Sequence, residues 1–249
     1  MNTGSNILCV IYNHNHNDNS KLWLDRLLGA GFDAYIFDSG SESPIEDDRV
    51  VKYPNIYCGG MFNETIELVK IKKPDWVFHV DDDILIDDEN FNRLLERINI
   101  VKENDKIGVY QASTTIGSHN CWPENKNKGT NSVRITPLIE EWMWLIRADI
   151  LIEMEKYDIN FGEEMKYGWG IGILYSRKSM DMGYINVVDD YVVVIHPNIP
   201  SSYNYIEASR LMKNTFGKLG TNNAKFENEC RDISNKIKFE YENHKKNIL

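Results

Sequence analysis

The chain lacks most of the features that would place it at sight. Its four cysteines, Cys9, Cys58, Cys121 and Cys230, lie far apart with no C-x-x-C pair, so zinc ribbons and dithiol redox motifs are unsupported. Cys9 and Cys58 sit in apolar or glycine-rich surroundings that suit reduced thiols in a reducing compartment. No run approaches the roughly 18 apolar residues that a membrane span needs. No basic segment followed by an apolar one opens the chain, so no signal peptide is visible. Both absences predict a cytoplasmic protein, at most peripheral to a membrane; the sequon Asn63-Glu64-Thr65 then carries no weight. Positive charge is also short: 28 Lys and Arg stand against 38 Asp and Glu, a net charge of −10. Phosphate backbones are bound through Lys and Arg, so nucleic acid is not an expected partner.

What is present is an apolar fraction of 42% over 249 residues, enough for one large core. Short apolar runs alternate with helical patterns in the first half. Strands are read at Ile7–Tyr12, Asp33–Phe37, Trp76–Val80 and Ile107–Tyr110. Helices are read after Ser20 as a cap, over Met61–Ile71, and over Asn90–Val101 with Asp87 or Asp88 as cap. Strands alternating with helices predict an α/β fold with a mainly parallel sheet. The polar segment Gln111–Thr136 is either a mobile active-site loop or a plain surface insertion. A strand Glu141–Arg147 follows, then helices from Asp149 and over Ile171–Met182, apolar runs Tyr184–Val188 and Tyr191–Ile195, and a largely helical tail. The expected division is a domain over 1–199, with a nucleotide-binding half at 1–110 and an acceptor-side half at 111–199, and a helical extension over 200–249.

The chemistry concentrates at strand ends. The strand Trp76–Val80 empties into Asp81-Asp82-Asp83, and ligands of parallel α/β sheets bind beyond the carboxyl ends of strands. Three packed carboxylates repel one another unless a cation sits among them, and hard divalent ions such as Mg²⁺ or Mn²⁺ take such oxygen ligands together with substrate phosphates. An EF-hand is excluded, because Leu85 and Ile86 stand where that loop needs an acidic residue and a glycine. Asp38 ends another strand in a Ser/Gly turn, and Tyr12 and Asn13 end the first. Together they offer a nucleotide a carboxylate, an aromatic ring and a metal position.

The order Val10-Ile11-Tyr12-Asn13, Phe37-Asp38-Ser39-Gly40-Ser41 and His79-Val80-Asp81-Asp82-Asp83 resembles the N-terminal half of GT-A-fold glycosyltransferases, particularly the family 2 type. Tyr167-Gly168-Trp169-Gly170-Ile171 and Val194-Ile195-His196-Pro197 are similar to the acceptor-side helix and closing strand of these enzymes, so the likeness runs over roughly residues 7 to 197. The resemblance implies a metal-dependent transferase with a UDP-sugar as donor, a glycan or other hydroxyl as acceptor, and Mn²⁺ or Mg²⁺ as cofactor. It implies that Tyr12, Asn13, Asp38, Gly60, Asn63, Asp81 and Asp82 line the nucleotide pocket, and that Asp81, Asp83 and His196 hold the metal. Trp169 is expected at the acceptor. Trp142 and Trp144, two apart on a strand, are expected on one side, in the core. One departure matters: where these enzymes commonly carry a carboxylate two residues past the Trp-Gly pair, this chain has Gly172. Glu163 and Glu164 are the nearest acidic candidates for the base, with Glu140 and Glu141 as further ones. A nucleotidyltransferase is disfavoured because Ile7–Asn19 contains no Gly, Lys or Arg; a non-catalytic nucleotide-sugar binder of the same fold finds its best argument in Gly172.

Overall fold

Ile7–Asn13 is an apolar run buried along its whole length, and it forms a central strand, β1. A strand covered on both faces needs such a run rather than alternation. The computed structural model describes residues 6–115, 122–197 and 203–243. After β1 come α1 (Asn17–Gly29), β2 (Asp33–Ser39), β3 (Val50–Tyr53), α2 (Tyr57–Lys72), β4 (Trp76–Asp81), α3 (Asp88–Val101) and β5 (Ile107–Thr114). Then follow β6 (Val133–Ile135), β7 (Met143–Arg147), α4 (Ala148–Glu153), α5 (Phe161–Glu164), α6 (Ile171–Asp181), β8 (Ile185–Val194), α7 (Tyr205–Lys218) and α8 (Asn223–Asn243).

All eight strands join one sheet in the order β3-β2-β1-β4-β7-β5-β8-β6. The N-terminal strands β3, β2, β1 and β4 are mutually parallel. Beyond β4 the sheet is mixed, though four of its seven strand pairings are parallel. There β7 runs antiparallel to both β4 and β5, and β6 antiparallel to β8, while β5 and β8 are parallel. Among the described residues no helix lies between β5 and β6, and without a crossover element a chain returns antiparallel.

Two apolar clusters cover the two faces. One holds Trp144, Phe62, Phe161 and Tyr175; the other holds Trp23, Phe78, Phe91 and Trp142. Trp142 and Trp144 are therefore on opposite faces, since the strand begins at Met143 and the period-two rule does not reach back to Trp142. Phe216 of α7 and Cys230 of α8, both fully buried, join the first cluster, so the C-terminal helices complete the same core. Asp87 caps α3, accepting from Asn90 N at 2.7 Å. Ser20 caps nothing: it lies inside α1, where its hydroxyl donates to Asn13 Oδ1 at 2.8 Å. The two late apolar runs are one strand, β8, interrupted by a bulge; there buried Asp189 and Asp190 pair with Arg97 and Arg134. No helix is long and apolar enough to cross a membrane among the described residues. Cys9, Cys58 and Cys230 are free thiols, and Cys121 lies outside the described residues.

Candidate functional site

Parallel pairing sets Tyr12 beside Asp81 and Asn13 beside Asp38, so the chain leaves β1, β2 and β4 at one edge of the sheet. A cleft of about 780 Å³ opens over that edge. Six carboxylates line it, from Asp81, Asp82, Asp83, Glu140, Glu141 and Glu227, together with His14, His16 and His196. No Lys or Arg is among its described lining residues.

His196 reaches this cleft because Ile195 forms an antiparallel bridge with Leu85, just past the acidic triplet. The bridge carries two backbone hydrogen bonds of 2.9 Å. It sets His196 Nε2 3.5 Å from Asp83 Oδ2. Burial alone lowers the His196 pKa; the neighbouring Asp83 outweighs it, helped by Asp81 and Glu140, and the net shift is upward. Burial, then repulsion from Asp83 and Asp82, pushes the Asp81 carboxyl well above the usual range. Asp83 Oδ1 is buried without a hydrogen-bond partner. Among the described residues no group of three or more His, Cys, Asp or Glu side chains is arranged to hold a metal ion. The donors nonetheless suit a divalent ion: two carboxylates that repel, one orphaned oxygen and an imidazole are the ligand types Mn²⁺ takes.

Asp82 also lines the cleft. It accepts from His14 N at 2.6 Å and lies 3.3 Å from His16 Nδ1, which tethers the loop after β1 to the end of β4. Of the residues expected at the nucleotide, Tyr12, Asn13, Asp81 and Asp82 line the cleft, whereas Asp38, Gly60 and Asn63 do not. Tyr12 lines the cleft but is only 3% exposed, its hydroxyl bonded to Thr65 Oγ1 and its ring stacked on Phe37. Asp38 is buried, accepting from Asn13 Nδ2 at 2.6 Å and Ser41 N at 2.9 Å, and it does not line the cleft. Asn13 does line it, although its amide is engaged by Asp38, Ser41 and Asn17. Gly60 and Asn63 face away, Gly60 packing on Ile56 and Asn63 donating to Asn160. Their segment contributes instead through Asn55, Tyr57 and Cys58.

On the opposite wall Trp169 lies at the cleft, its indole N–H donating to Tyr203 Oη at 2.8 Å. Its flanking glycines both have positive φ, +88° and +92°. A Cβ on Gly168 would stand 2.8 Å from Cys58 Sγ, so the turn that presents Trp169 needs glycine there. Glu163 and Glu164 are not in the cleft. Glu163 is exposed on α5, and Glu164 pairs with Lys218 of α7 at 2.5 Å.

The carboxylate that reaches this turn is that of Glu141. Its Oε1 accepts from Gly170 N at 3.2 Å and Gly172 N at 2.9 Å, at the first turn of α6. The space beside Gly172 is thereby taken. A Cβ there would meet Ile139 O at 2.3 Å and Glu141 Oε1 at 3.1 Å. Burial lifts the Glu141 pKa to about 7 against the pull of the Gly172 and Gly170 amides. Glu140, next door, is raised to about 8 by burial and by Glu141; its carboxylate accepts from Trp122 N.

Sequence reasoning gave His79 no role. It is wholly buried in β4, its ring 4.0 Å from that of Tyr12 and 4.8 Å from that of Trp144. Its Nε2 lies 3.1 Å from Asp81 Oδ1. Burial holds its pKa down at about 3, so the ring is neutral. The signal was available: a polar residue in an otherwise apolar central strand, two positions before the first aspartate.

No family model and no curated protein matches the sequence. Solved structures do resemble it. A mycobacterial protein aligns with a TM-score of 0.54 at 13% identity, over 89% of this chain and 77% of its own. A glycosyltransferase involved in glycosylation of the major capsid of PBCV-1 aligns with a TM-score of 0.46 at 12% identity, over 79% of this chain and 94% of its own. At such identities the first of these speaks for a shared fold.

Proposed function

We propose that the chain is a glycosyltransferase that moves a sugar from a nucleoside diphosphate sugar, UDP-linked by preference, to an acceptor hydroxyl with the help of a divalent cation. The observation that carries this reading is the charge of the cleft: six carboxylates and no described Lys or Arg line it, and two of those carboxylates stand with His196 at its acidic corner. Such a wall repels a diphosphate unless a metal lies between them. Asp83 and His196, with Asp81, would hold Mn²⁺ or Mg²⁺. When bound, the ion supplies Lewis-acid stabilisation of the departing diphosphate.

The protein's own groups do the rest. Trp169 offers an aromatic face to the acceptor sugar. Glu141, held by two backbone amides, accepts the proton of the acceptor hydroxyl as the new C–O bond forms at the anomeric carbon and the bond to the diphosphate breaks. With a base so placed, a single displacement with inversion follows. Gly172 is then no sign of lost activity, because Glu141 brings a carboxylate to that turn from another element.

The test is a thermal-shift and calorimetric screen of nucleotide sugars with and without Mn²⁺, followed by turnover of the hits. Ligands that bind only the native state raise its stability. Stabilisation by a UDP-sugar only in the presence of Mn²⁺, lost in Asp83→Ala, supports the reading. No shift with any donor plus metal overturns it, and binding without turnover leaves a sugar-nucleotide binder.

A further inference from the structure

We infer that the face of α7 beside Trp169 is an outer acceptor subsite for an acidic sugar, its carboxylate held by Arg210 and Lys213. The inference rests on the transferase reading and deepens it by naming the chemical class of the acceptor. A groove of about 610 Å³ runs along that face, a volume in the range of small-molecule sites. Ile206, Arg210, Lys213 and Asn214 line it, and their helical spacing puts them on one stripe of α7. Ala208, Thr215 and Phe216, on the other side of the helix, are buried. Trp169 and Tyr205, their rings 5.9 Å apart, line both this groove and the acidic cleft, so the two spaces meet at these rings.

The two spaces are opposite in charge. The cleft has six carboxylates and no Lys or Arg among its described lining residues, whereas the groove has two cations and no carboxylate. Elsewhere on α7 charge is already spent: Lys218 pairs with Glu164, and Glu207 accepts from Tyr167 Oη. Arg210 and Lys213 are exposed and have no ion pair among the described residues, so their charge is open to a ligand. An acidic sugar unit is repelled by the cleft and attracted by the groove. It therefore binds outside, the acceptor crosses the rings of Trp169 and Tyr205, and a neutral, hydroxyl-bearing unit enters the cleft. The guanidinium fork of Arg210 matches a planar carboxylate. Phosphate is the poorer fit, because it favours open amides at a helix N-terminus. At α7 those of Ile206 and Glu207 already donate to Asn204 Oδ1. Two cations also give only a weak hold on an anionic bilayer.

The experiment titrates the whole chain, with Mn²⁺ and UDP present, against pairs of trisaccharides that differ only in carrying a uronate or its carboxyl-reduced neutral counterpart at one end. Calorimetry should show the acidic member of a pair binding about 10-fold more tightly to wild type, a preference that added salt weakens. In R210Q/K213Q the preference should vanish, while stabilisation by UDP with Mn²⁺ stays at the wild-type level; R210Q and K213Q alone should each lose part of it. No acidic preference in any pair, with the UDP response intact, overturns the subsite and leaves the transferase reading standing. A uronate preference that R210Q/K213Q loses, without any response to UDP and Mn²⁺, keeps the acidic-sugar site and removes the transferase reading. Tighter binding of a matched phosphorylated trisaccharide overturns the choice of carboxylate. Binding to phosphatidylglycerol vesicles that R210Q/K213Q loses, with no uronate preference, gives the face to a membrane and overturns the subsite.

Discussion

Replacing Gly172 with alanine tests how the acceptor wall is built. The added Cβ would lie 2.3 Å from Ile139 O and 3.1 Å from Glu141 Oε1. The first neighbour is backbone and cannot swing aside, so the turn before α6 must open by about 1 Å to restore a normal contact. Forcing one methyl into a filled site costs about 1–3 kcal/mol. In a chain of this size each kcal/mol lowers Tm by about 2–4 °C, so Gly172→Ala should melt about 2–12 °C early. The same movement takes the Gly170 and Gly172 amides away from Glu141, so acceptor transfer should fall by about 10²-fold or more, while nucleotide affinity holds. Moving the acid, in Glu141→Ala/Gly172→Glu, should not restore transfer, because the clash with Ile139 O remains. Scanning calorimetry and initial rates measure both effects. A Gly172→Ala protein with native Tm and native rate would refute the steric argument, and a swap variant of full activity would show that the turn yields.

Other outcomes follow from the same geometry. Glu141→Gln should lower the transfer rate by roughly 10²–10⁴-fold with metal-dependent donor binding intact, as single-turnover rates and calorimetry can establish. Wild-type transfer should rise with pH through about 7, where Glu141 loses its proton, and Glu141→Gln should lose that step. Glu140 and Glu141 have folded pKa values of about 8 and 7, above the ordinary 4.5. The folded state thus holds their protons more tightly than the unfolded, so their contribution to metal-free stability is full below about pH 4.5 and is lost as pH rises to 7–8. Thermal melts of Glu140→Gln/Glu141→Gln should show a shallower decline over that window than wild type. Trp169→Ala should raise the acceptor KM and spare the donor KM, and equal effects on both would remove Trp169 from the acceptor site.

Much of the fold was legible because local pattern and tertiary environment agree. The run Ile7–Tyr12 can be satisfied only by a central strand, and Asp87 before an apolar helical repeat reads as the cap it is. The missed parts depended on pairing that no window contains. β7 inserts antiparallel between β4 and β5, and parallel pairing resumes only between β5 and β8. The site divides along the same line. The acidic triplet was readable from a strand end and His196 only from the resemblance, and the Leu85–Ile195 bridge explains why they meet although more than a hundred residues separate them. Asp38 and Tyr12 were readable as polar groups at the same edge, but strand ends do not reveal how their hydrogen bonds are spent. Asp38 is consumed by Asn13 and Ser41, and Tyr12 by Thr65.

Glu141 is the instructive case. Local sequence favoured Glu163 and Glu164 as bases because they are near Trp169 along the chain, yet α5 leaves Glu163 exposed and Glu164 paired with Lys218. The carboxylate that reaches the acceptor wall comes from the approach to β7, thirty-one residues before Gly172. Its place there depends on Gly172 having no side chain. On the proposed reading Glu141 takes the place of the missing acid, so substituting either residue alone should damage the same step. Glu141→Gln and Gly172→Ala should therefore be strongly non-additive in transfer rate, the double variant little slower than the worse single one. A rate equal to the product of the two losses would mean that Gly172 shapes the site by some route other than Glu141.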